Sequence, residues 1–523
     1  MNEATSFPNL PPEVRAYIRD LEARNAELSE RVRYVEEQFR LAQLKLYAPS
    51  SEKRGDRVFN EAEQADADPD LDDADAMDPP ETGMPEVVPP APQKRGRKPL
   101  SADLPRKRVE YDLAPEQKMC ACCQGALHRI GEDISEQLHM PPQAPWVWQH
   151  VRFKYGCRHC ERHGISAPVV RAAMPAQPLP GSVADATTIA TVMTGKYADG
   201  MPLYRMEALF GRAGIELGRG TMGHRMIGAS QRHLQRLYDA MRGVLLAQPL
   251  IHGDETRVQV LHEDGKNAQS QSYMWVYRSA EHSPHPVVLF EYQSGRGQQH
   301  PQAFLQGYAG TLMTDGYSAW RTLDGVTHLG CMAHARRYFD EAAKAQKKSD
   351  GRAKQALEMI GRLYKVEALA KGELPAGRTR AEYTYSLRQQ HSVPVLAVLK
   401  AWLDKQAAQV LPKSLLGEAI TYARNQWIYL IRYADDGNAP IDNNAVERDI
   451  RPFTTGRKNW MFSDTVAGAQ ASAVIYSFML SCRACGVEPH AYLCHVLTEL
   501  PLRALDADVR DLLPFSHAAS IAP

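Results

Sequence analysis

The segment from residue 250 to residue 345 constrains the fold most, because strand-like apolar runs and helical segments follow one another in a definite order. Five strands and two helices are predicted, with the first helix between the third and fourth strands and the second at the end: Leu250–Leu261, Ser272–Arg278, Val287–Tyr292, Gln298–Leu305, Thr311–Thr314, Val326–Gly330 and Ala333–Ala345. Successive strands pair antiparallel, whereas a strand reached through a crossover helix pairs parallel. We therefore expect an α/β layer covered on both faces.

Three acidic side chains occupy distinctive positions around this layer. Asp254 ends the apolar run that begins at Pro249, Asp315 ends a second run, and Glu447 lies on a short predicted helix. Carboxylate oxygens suit hard cations such as Mg²⁺. Two such ions, roughly 3.5–4 Å apart, can clamp the attacking and leaving oxygens of a phosphodiester displacement. The three acids together predict a two-metal site.

Each acid alone also has an ordinary structural explanation. Asp315 precedes a glycine, which is a frequent turn signal. Glu447 stands three residues after Asn444 and four before Arg451, so it could cap its helix or form an ion pair along it. Glu255 lies next to Asp254, but neighbouring strand residues point to opposite faces, so only one of them can face the metals.

The N-terminal region predicts a helix from Val14 to Leu46 with a heptad seam. Asn25 falls at an a position, which fixes the register and favours two strands. The apolar residues at the a and d positions are Ile18, Leu21, Leu28, Val32 and Phe39. We expect a homodimer or higher oligomer through this zipper, and the alternative is an amphipathic helix packed on its own domain.

The following linker separates its charges by sign. Ten acidic residues and no basic one lie between Glu61 and Glu81, and such a composition favours disorder. The basic run after it contains Arg95, Arg97 and Lys98, which resemble a hook for the DNA minor groove. The alternative is that both runs are solvated linker.

Two Cys-x-x-Cys pairs predict a closed structural zinc site, formed by Cys120, Cys123, Cys157 and Cys160. His159 or His163 could replace one cysteine, and Cys122 has no assigned role. Cys331 and His334 resemble half of a metal site, for which we expect a structural or substrate-contact role. Cys482 and Cys485 share a helix face and are expected to be buried.

Further DNA contacts are expected from two other regions. Met201–Phe210 and Thr221–Ile227 flank a glycine-containing turn and resemble a helix-turn-helix, although such helices also occur in protein cores. Cations interleaved with aromatic residues follow the third acid and suit phosphate contacts: Arg448, Arg451, Arg457 and Lys458.

At 523 residues the chain is expected to form several domains. The predicted divisions are a coiled coil (13–47), an acidic then basic linker (48–105), a zinc-binding module (106–175), a helical DNA-binding region (180–247), the first part of the catalytic core (248–345), a helical insertion (346–436), the second part of the core (437–485) and a helical tail (486–523).

The N-terminus lacks the apolar segment of a signal peptide, and we find no apolar stretch of bilayer-spanning length. A cytoplasmic protein with no membrane partner is expected. Its nine cysteines are then expected to be thiols or metal ligands rather than disulfides.

The chain resembles the insertion sequence 66 family of transposases from the zipper almost to the C-terminus. The most specific motifs are Asp254–Thr256, Thr314–Tyr317, Cys331–Arg337, Asn443–Arg448 and Gly456–Asn459. Others are Ser50–Lys53, Gly96–Leu100, Ile130–Gln137, Lys196–Asp199 and Pro202–Tyr204.

The resemblance implies an RNase H-like core interrupted by an all-helical insertion, with an Asp-Asp-Glu triad at Asp254, Asp315 and Glu447. It implies two Mg²⁺ or Mn²⁺ ions per site, structural Zn²⁺, transposon-end and target DNA, accessory transposition proteins, and a bacterial, nucleoid-associated location. Cleavage would free a 3′-OH that attacks target DNA. A catalytically silent DNA-binding regulator and an RNase H-like structure-specific nuclease are the alternatives.

Overall fold

The computed structural model describes residues 11–47, 145–150, 154–155, 170–171, 173–345 and 351–521. The chain divides into two compact units, Met1–Pro69 with Phe153–Pro523, and Asp70–Arg152. The architecture that follows is that of the first unit. The predicted zinc ligands Cys120, Cys123, Cys157 and Cys160 lie outside the described residues, as do Cys122 and the basic residues Arg95, Arg97 and Lys98.

A mixed sheet forms the centre of the first unit. Its strands are β3 (Leu250–His262), β4 (Gln271–Ser279), β5 (Val288–Gln293), β6 (Thr311–Thr314) and β7 (Thr327–Gly330), in the order β5-β4-β3-β6-β7. The first three pair antiparallel, and β3, β6 and β7 pair parallel. The five predicted strands and their change from antiparallel to parallel pairing are therefore confirmed.

Two further pairings were not predicted from the sequence. Lys154–Tyr155 (β1) and Val170–Arg171 (β2) form a short antiparallel ladder. Ser463–Thr465 (β8) pairs parallel with the far end of β3, where Val260 lies opposite Ser463.

Helices cover the sheet and form a separate insertion. The helices before the sheet are α1 (Pro12–Tyr47), α2 (Ala186–Tyr197), α3 (Leu203–Arg212), α4 (Arg219–Ala229) and α5 (Gln235–Leu246). Those that follow are α6 (Gln299–Phe304), α7 (Met332–Ala345), α8 (Arg352–Lys371), α9 (Arg380–Leu387), α10 (Val393–Ala407), α11 (Leu415–Asn425), α12 (Trp427–Leu430), α13 (Asn444–Trp460), α14 (Val466–Ala484), α15 (Pro489–Glu499) and α16 (Pro514–Ile521). Short π-helical turns occupy Ser230–Leu234 and Arg388–Ser392.

The buried apolar side chains form two clusters, one around the sheet and one around the helices of the insertion. The larger cluster joins the sheet to α2–α5, α13, α14 and α15, and it includes Trp275, Phe290 and Phe453. The smaller cluster joins α7 to the helices α8, α10 and α11, and it includes Phe339 and Leu403. The insertion between Asp315 and Glu447 thus packs around α7 in a second apolar cluster, which also includes Leu250, Met313 and Leu329 of the sheet.

Helix α14 covers the outer edge of β5. The hydroxyls of Ser481 and Ser477, one helical turn apart, accept hydrogen bonds from the backbone N–H groups of Val288 and Phe290 at 2.9 and 2.8 Å. Because an uncovered edge strand leaves such groups unpaired, these serines complete the sheet at the side away from β3.

Helix α1 confirms the predicted N-terminal helix, and its C-terminal part contacts the insertion. Arg40 donates to the carbonyl of Ala345 at 3.2 Å, and Glu37 accepts from the backbone N–H of Leu415 at 3.2 Å. Predicted zipper residues Leu21, Leu28, Val32 and Phe39 nevertheless remain 45 to 62% exposed. Packing on the same chain therefore leaves the apolar seam uncovered.

Among the described residues we find no helix that combines the length and the apolar character needed to cross a bilayer.

Candidate active site

The two aspartates reach the same edge of the sheet through parallel strands. His252 on β3 lies opposite Met313 on β6, so the register carried two residues further brings Asp254 opposite Asp315. Asp315 directly follows the last residue of β6. Asp315 stands at the end of its strand as predicted, whereas Asp254 lies within β3, which continues to His262. The two aspartates are nevertheless neighbours across the β3–β6 pair.

Asn443 connects the start of α13 to the same end of β3. Its side chain is fully buried; Oδ1 accepts from His252 Nδ1 at 2.9 Å, and Nδ2 donates to the carbonyl of Gly253 at 3.0 Å. Burial lowers the pKa of His252 to about 3, so the ring is neutral and serves as a donor. Glu447 follows one helical turn after Asn443 on the same helix.

A buried ion pair holds the same helix from the next strand. Arg278 on β4 donates to Asp449 Oδ2 at 2.9 Å and to the carbonyl of Ala445 at 3.2 Å. The side chains of Arg278 and Asp449 are only 9 and 10% exposed. Helix α13 is therefore attached to the sheet on both sides of Glu447.

The carboxylate of Glu447 faces the first turn of α7. His334 Nδ1 lies 3.6 Å from Glu447 Oε1, and an Arg337 guanidinium nitrogen lies 3.4 Å from Oε2. Helix α13 starts at Asn444, and the side chain of Asn443 does not cap its free backbone N–H groups. These contacts support a role for Glu447 at the junction of α7 and α13.

Asp254 is a buried carboxyl group with other carboxylates nearby. Burial raises the pKa of Asp254 well above its usual value, and the nearby carboxylates of Glu255, Asp315 and Glu447 raise it further. A divalent cation would reverse this effect by favouring the charged form. The residues present therefore fit a hard dication held by oxygen ligands.

Glu255 has partners of its own on the other face of β3. Its carboxylate, 1% exposed, forms an ion pair with Arg296 and accepts from the indole Nε1 of Trp320 at 2.9 Å. Arg296 also stacks over the ring of Tyr317, with its guanidinium carbon 3.8 Å from the ring centre. Glu255 is thereby engaged in fixing the segment after Asp315.

The turn at Asp315 is fixed by its own hydrogen bonds. Asp315 Oδ1 accepts from the backbone N–H of Tyr317 at 2.8 Å, and its carbonyl accepts from the Tyr422 hydroxyl at 2.5 Å. Gly316 has a φ of +100°, a conformation that other residues adopt at a cost. The Asp-Gly pair thus redirects the chain immediately after the carboxylate.

A second set of metal-ligand atoms lies where α7 meets α13. Among the described residues, the group of three that lies within 4.8 Å contains Cys331, His334 and Glu447. The described acids Asp254, Asp315 and Glu447 form no such group within that limit. Sequence reasoning noted Cys331 and His334 without a partner, and the signal for them was their three-residue spacing at a helix start.

Predicted phosphate contacts lie along α13. Arg448 and Arg451 line a cavity of about 340 Å³ together with Asn459 and Arg483. Arg448 also pairs with Glu281. Lys458 is exposed.

Two other sets of predicted residues have local partners. Arg457 donates to Thr256 Oγ1 and to the Arg257 carbonyl, which ties α13 to β3. Cys482 is buried and Cys485 partly buried; the thiol of Cys485 donates to the Pro286 carbonyl at 3.6 Å.

Comparison with family models gives consistent matches along the chain. The model described as Transposase IS66 family matches residues 181–471, and the zinc-finger binding domain of transposase IS66 matches 117–161. The IS66 C-terminal element matches 477–515, and the model described as Transposase C of IS166 homeodomain, of the leucine-zipper type, matches 35–109.

Three proteins of Sinorhizobium fredii are similar over most of their length. Uncharacterized protein y4jD is 32% identical over 76% of this chain and 78% of its own. Uncharacterized protein y4qI is 31% identical over 83% of this chain and 82% of its own. Uncharacterized protein y4hP is 29% identical over 77% of this chain and 74% of its own.

Proposed function

The chain belongs to the IS66 transposase family, and from that premise we propose that it cleaves insertion-sequence ends and joins the freed 3′-OH to target DNA. Asp254, Asp315 and Glu447 form the proposed catalytic site. The observation that carries the proposal is geometric: the parallel register of β3 and β6 sets Asp254 beside Asp315, and Asn443 ties the start of α13, which carries Glu447, to the same part of β3.

The sheet supports an RNase H-like core. Three antiparallel strands are followed through α6 by two parallel strands, and the proposed acids follow β6 and lie on β3 and α13. The proposed core comprises residues 248–345 and 437–485, and the helical insertion comprises 346–436. The zipper at 13–47, linker at 48–105, zinc module at 106–175, helical region at 180–247 and tail at 486–523 complete the proposed organisation.

The proposed roles of the acids follow from their positions. When bound, two Mg²⁺ or Mn²⁺ ions would activate the attacking water or 3′-OH and stabilise the leaving oxygen. Asp254 and Asp315 would hold one ion jointly, and Glu447 would complete the site of the other. Asn443 and Arg278 would act by holding α13 against β3 and β4, which supports the proposed placement of Glu447 near the aspartates.

DNA binding is distributed over several proposed contacts. Arg448, Arg451, Arg457 and Lys458 would neutralise phosphates near the site, and the exposed Lys458 and the arginine-lined cavity support this placement. Arg95, Arg97 and Lys98 would contact the minor groove. Cys120, Cys123, Cys157 and Cys160 all lie within the match to the family's zinc-finger domain and would hold structural Zn²⁺.

Self-association through α1 is the proposed quaternary arrangement. The exposed apolar seam supports it, and so does the family match at 35–109, which overlaps the end of α1. Changing Leu21 and Leu28 together to Ala is expected to shift the full chain from dimer toward monomer in sedimentation, because each loses apolar contact area at a d position.

The matched control for the zipper is Leu505→Ala, which removes an apolar side chain that is 83% exposed and should leave sedimentation unchanged. An unaltered sedimentation profile for the Leu21/Leu28 variant would remove the dimer role of α1.

Strand transfer separates the proposed function from its alternatives. The full chain, incubated with Mg²⁺, a duplex carrying the element end and a target plasmid, is expected to yield covalently joined end–target products. Hydrolysis without joining would indicate a structure-specific nuclease. Binding of the end without either reaction would indicate a DNA-binding regulator, and either result would overturn the proposal.

A further inference from the structure

Cys331, His334 and Glu447 bring a sulfur, a nitrogen and an oxygen ligand atom within 4.8 Å of one another where α7 meets α13. Cys331 is fully buried, and the side chains of His334 and Glu447 are 18 and 28% exposed. We propose that these three side chains form a site for a divalent transition-metal ion of the zinc class, distinct in ligand chemistry from the oxygen site of the aspartates.

The pair His334 and Glu447 is already spaced for such an ion. His334 Nδ1 and Glu447 Oε1 lie 3.6 Å apart, and both atoms are buried without a hydrogen-bond partner. Two ligands of a tetrahedral zinc ion, at bond lengths of 2.0–2.2 Å, lie roughly 3.4 Å apart. Unpaired buried polar atoms are costly, and an ion between them would satisfy both.

The position of Cys331 suits a thiolate ligand. It directly precedes α7, and its sulfur accepts from the backbone N–H of Asn443 at 3.2 Å. Backbone donors and a helix N-terminus both favour the charged form. Burial nevertheless raises the pKa of the Cys331 thiol well above its usual value, so metal binding would release the thiol proton to solvent. No electron transfer is involved.

The ligand sets separate the two kinds of metal. Thiolate and imidazole select zinc-class ions, whereas an all-carboxylate set suits Mg²⁺. Because Glu447 belongs to both sets, a zinc-class ion at this site would withdraw it from the aspartates. This consequence for activity rests on the proposed function, whereas binding of the ion does not.

Cobalt binding tests the site directly. The full chain, stripped of metal, is titrated with Co²⁺ while thiolate-to-cobalt charge-transfer absorbance is recorded, so that the four-cysteine module and the cluster both fill. Wild-type protein is expected to bind one equivalent that Cys331→Ser does not bind. Glu447→Gln is expected to weaken Co²⁺ binding at least about tenfold, since even the loss of a residue that supports a ligand costs 10–100-fold in metal affinity.

Cys485→Ser is the matched control, because Cys485 is a partly buried free cysteine outside the cluster, and it should bind Co²⁺ like the wild type. His334→Gln provides a second ligand variant if Cys331→Ser fails to fold. Equal cobalt spectra for wild type and folded Cys331→Ser would overturn the metal site. That outcome would leave the proposed strand transfer untouched, because strand transfer is measured separately in Mg²⁺.

Discussion

Asp254→Asn is expected to lower strand cleavage in Mg²⁺ by at least about a thousand-fold, which corresponds to about 4 kcal/mol of lost transition-state stabilisation. The amide keeps the size of the side chain but removes the charge that would hold the cation. Burial and the nearby carboxylates raise the pKa of Asp254 well above its usual value. Binding of the element end should be unchanged, since the variant leaves every proposed phosphate contact in place.

Cleavage and end binding are measured on the same labelled duplex. Asp324→Asn is the matched control, because Asp324 is exposed in the loop before β7, and its cleavage rate should stay within about twofold of the wild-type rate, since surface substitutions are usually tolerated. Cleavage by Asp254→Asn at the wild-type rate would remove Asp254 from the catalytic site.

Arg278→Met is expected to reduce the stability of the folded chain by about 3–5 kcal/mol. The methionine roughly preserves the volume of the arginine stem but leaves the carboxylate of Asp449 buried without its cationic partner, and an uncompensated buried charge is strongly destabilising. Because Arg278 also donates to the carbonyl of Ala445, the first turn of α13 should loosen. Thermal unfolding, followed by circular dichroism, measures the loss.

Two comparisons make the Arg278 prediction specific. Arg424→Met breaks an ion pair with Asp404 in which both side chains are nearly half exposed, and it should cost no more than about 1 kcal/mol. Adding Asp449→Leu to Arg278→Met should recover part of the loss, because the unpaired charge is then gone. A stable Arg278→Met variant would show that the pair does not hold α13.

The sequence predicted the sheet well because its signals are local. Each strand carries its own apolar alternation, and α6 between β5 and β6 dictates the change from antiparallel to parallel pairing. Asp254 and Asp315 could therefore be assigned to neighbouring strands in advance, although β3 continues past Asp254 to His262. The opposite orientation of Glu255 also followed from strand geometry alone, and its pairing with Arg296 agrees with that expectation.

What escaped prediction depends on contacts between distant segments. The partner of Cys331 and His334 is Glu447, which lies more than a hundred residues away across a helical insertion, so no local pattern could connect them. The Arg278–Asp449 pair escaped for the same reason. Strand β8 has three residues, which are too few to show a periodic apolar pattern. Its pairing with β3 depends on where α13 ends.

Locating bound metal tests the central claim most directly. Crystals of the full chain bound to element-end DNA are soaked with Mn²⁺, and its anomalous scattering is measured. We predict two peaks roughly 3.5–4 Å apart, with Asp254 and Asp315 coordinating one ion and Glu447 coordinating the other. Peaks absent from this end of the sheet, or a Glu447 carboxylate that coordinates neither ion, would contradict a shared two-metal site.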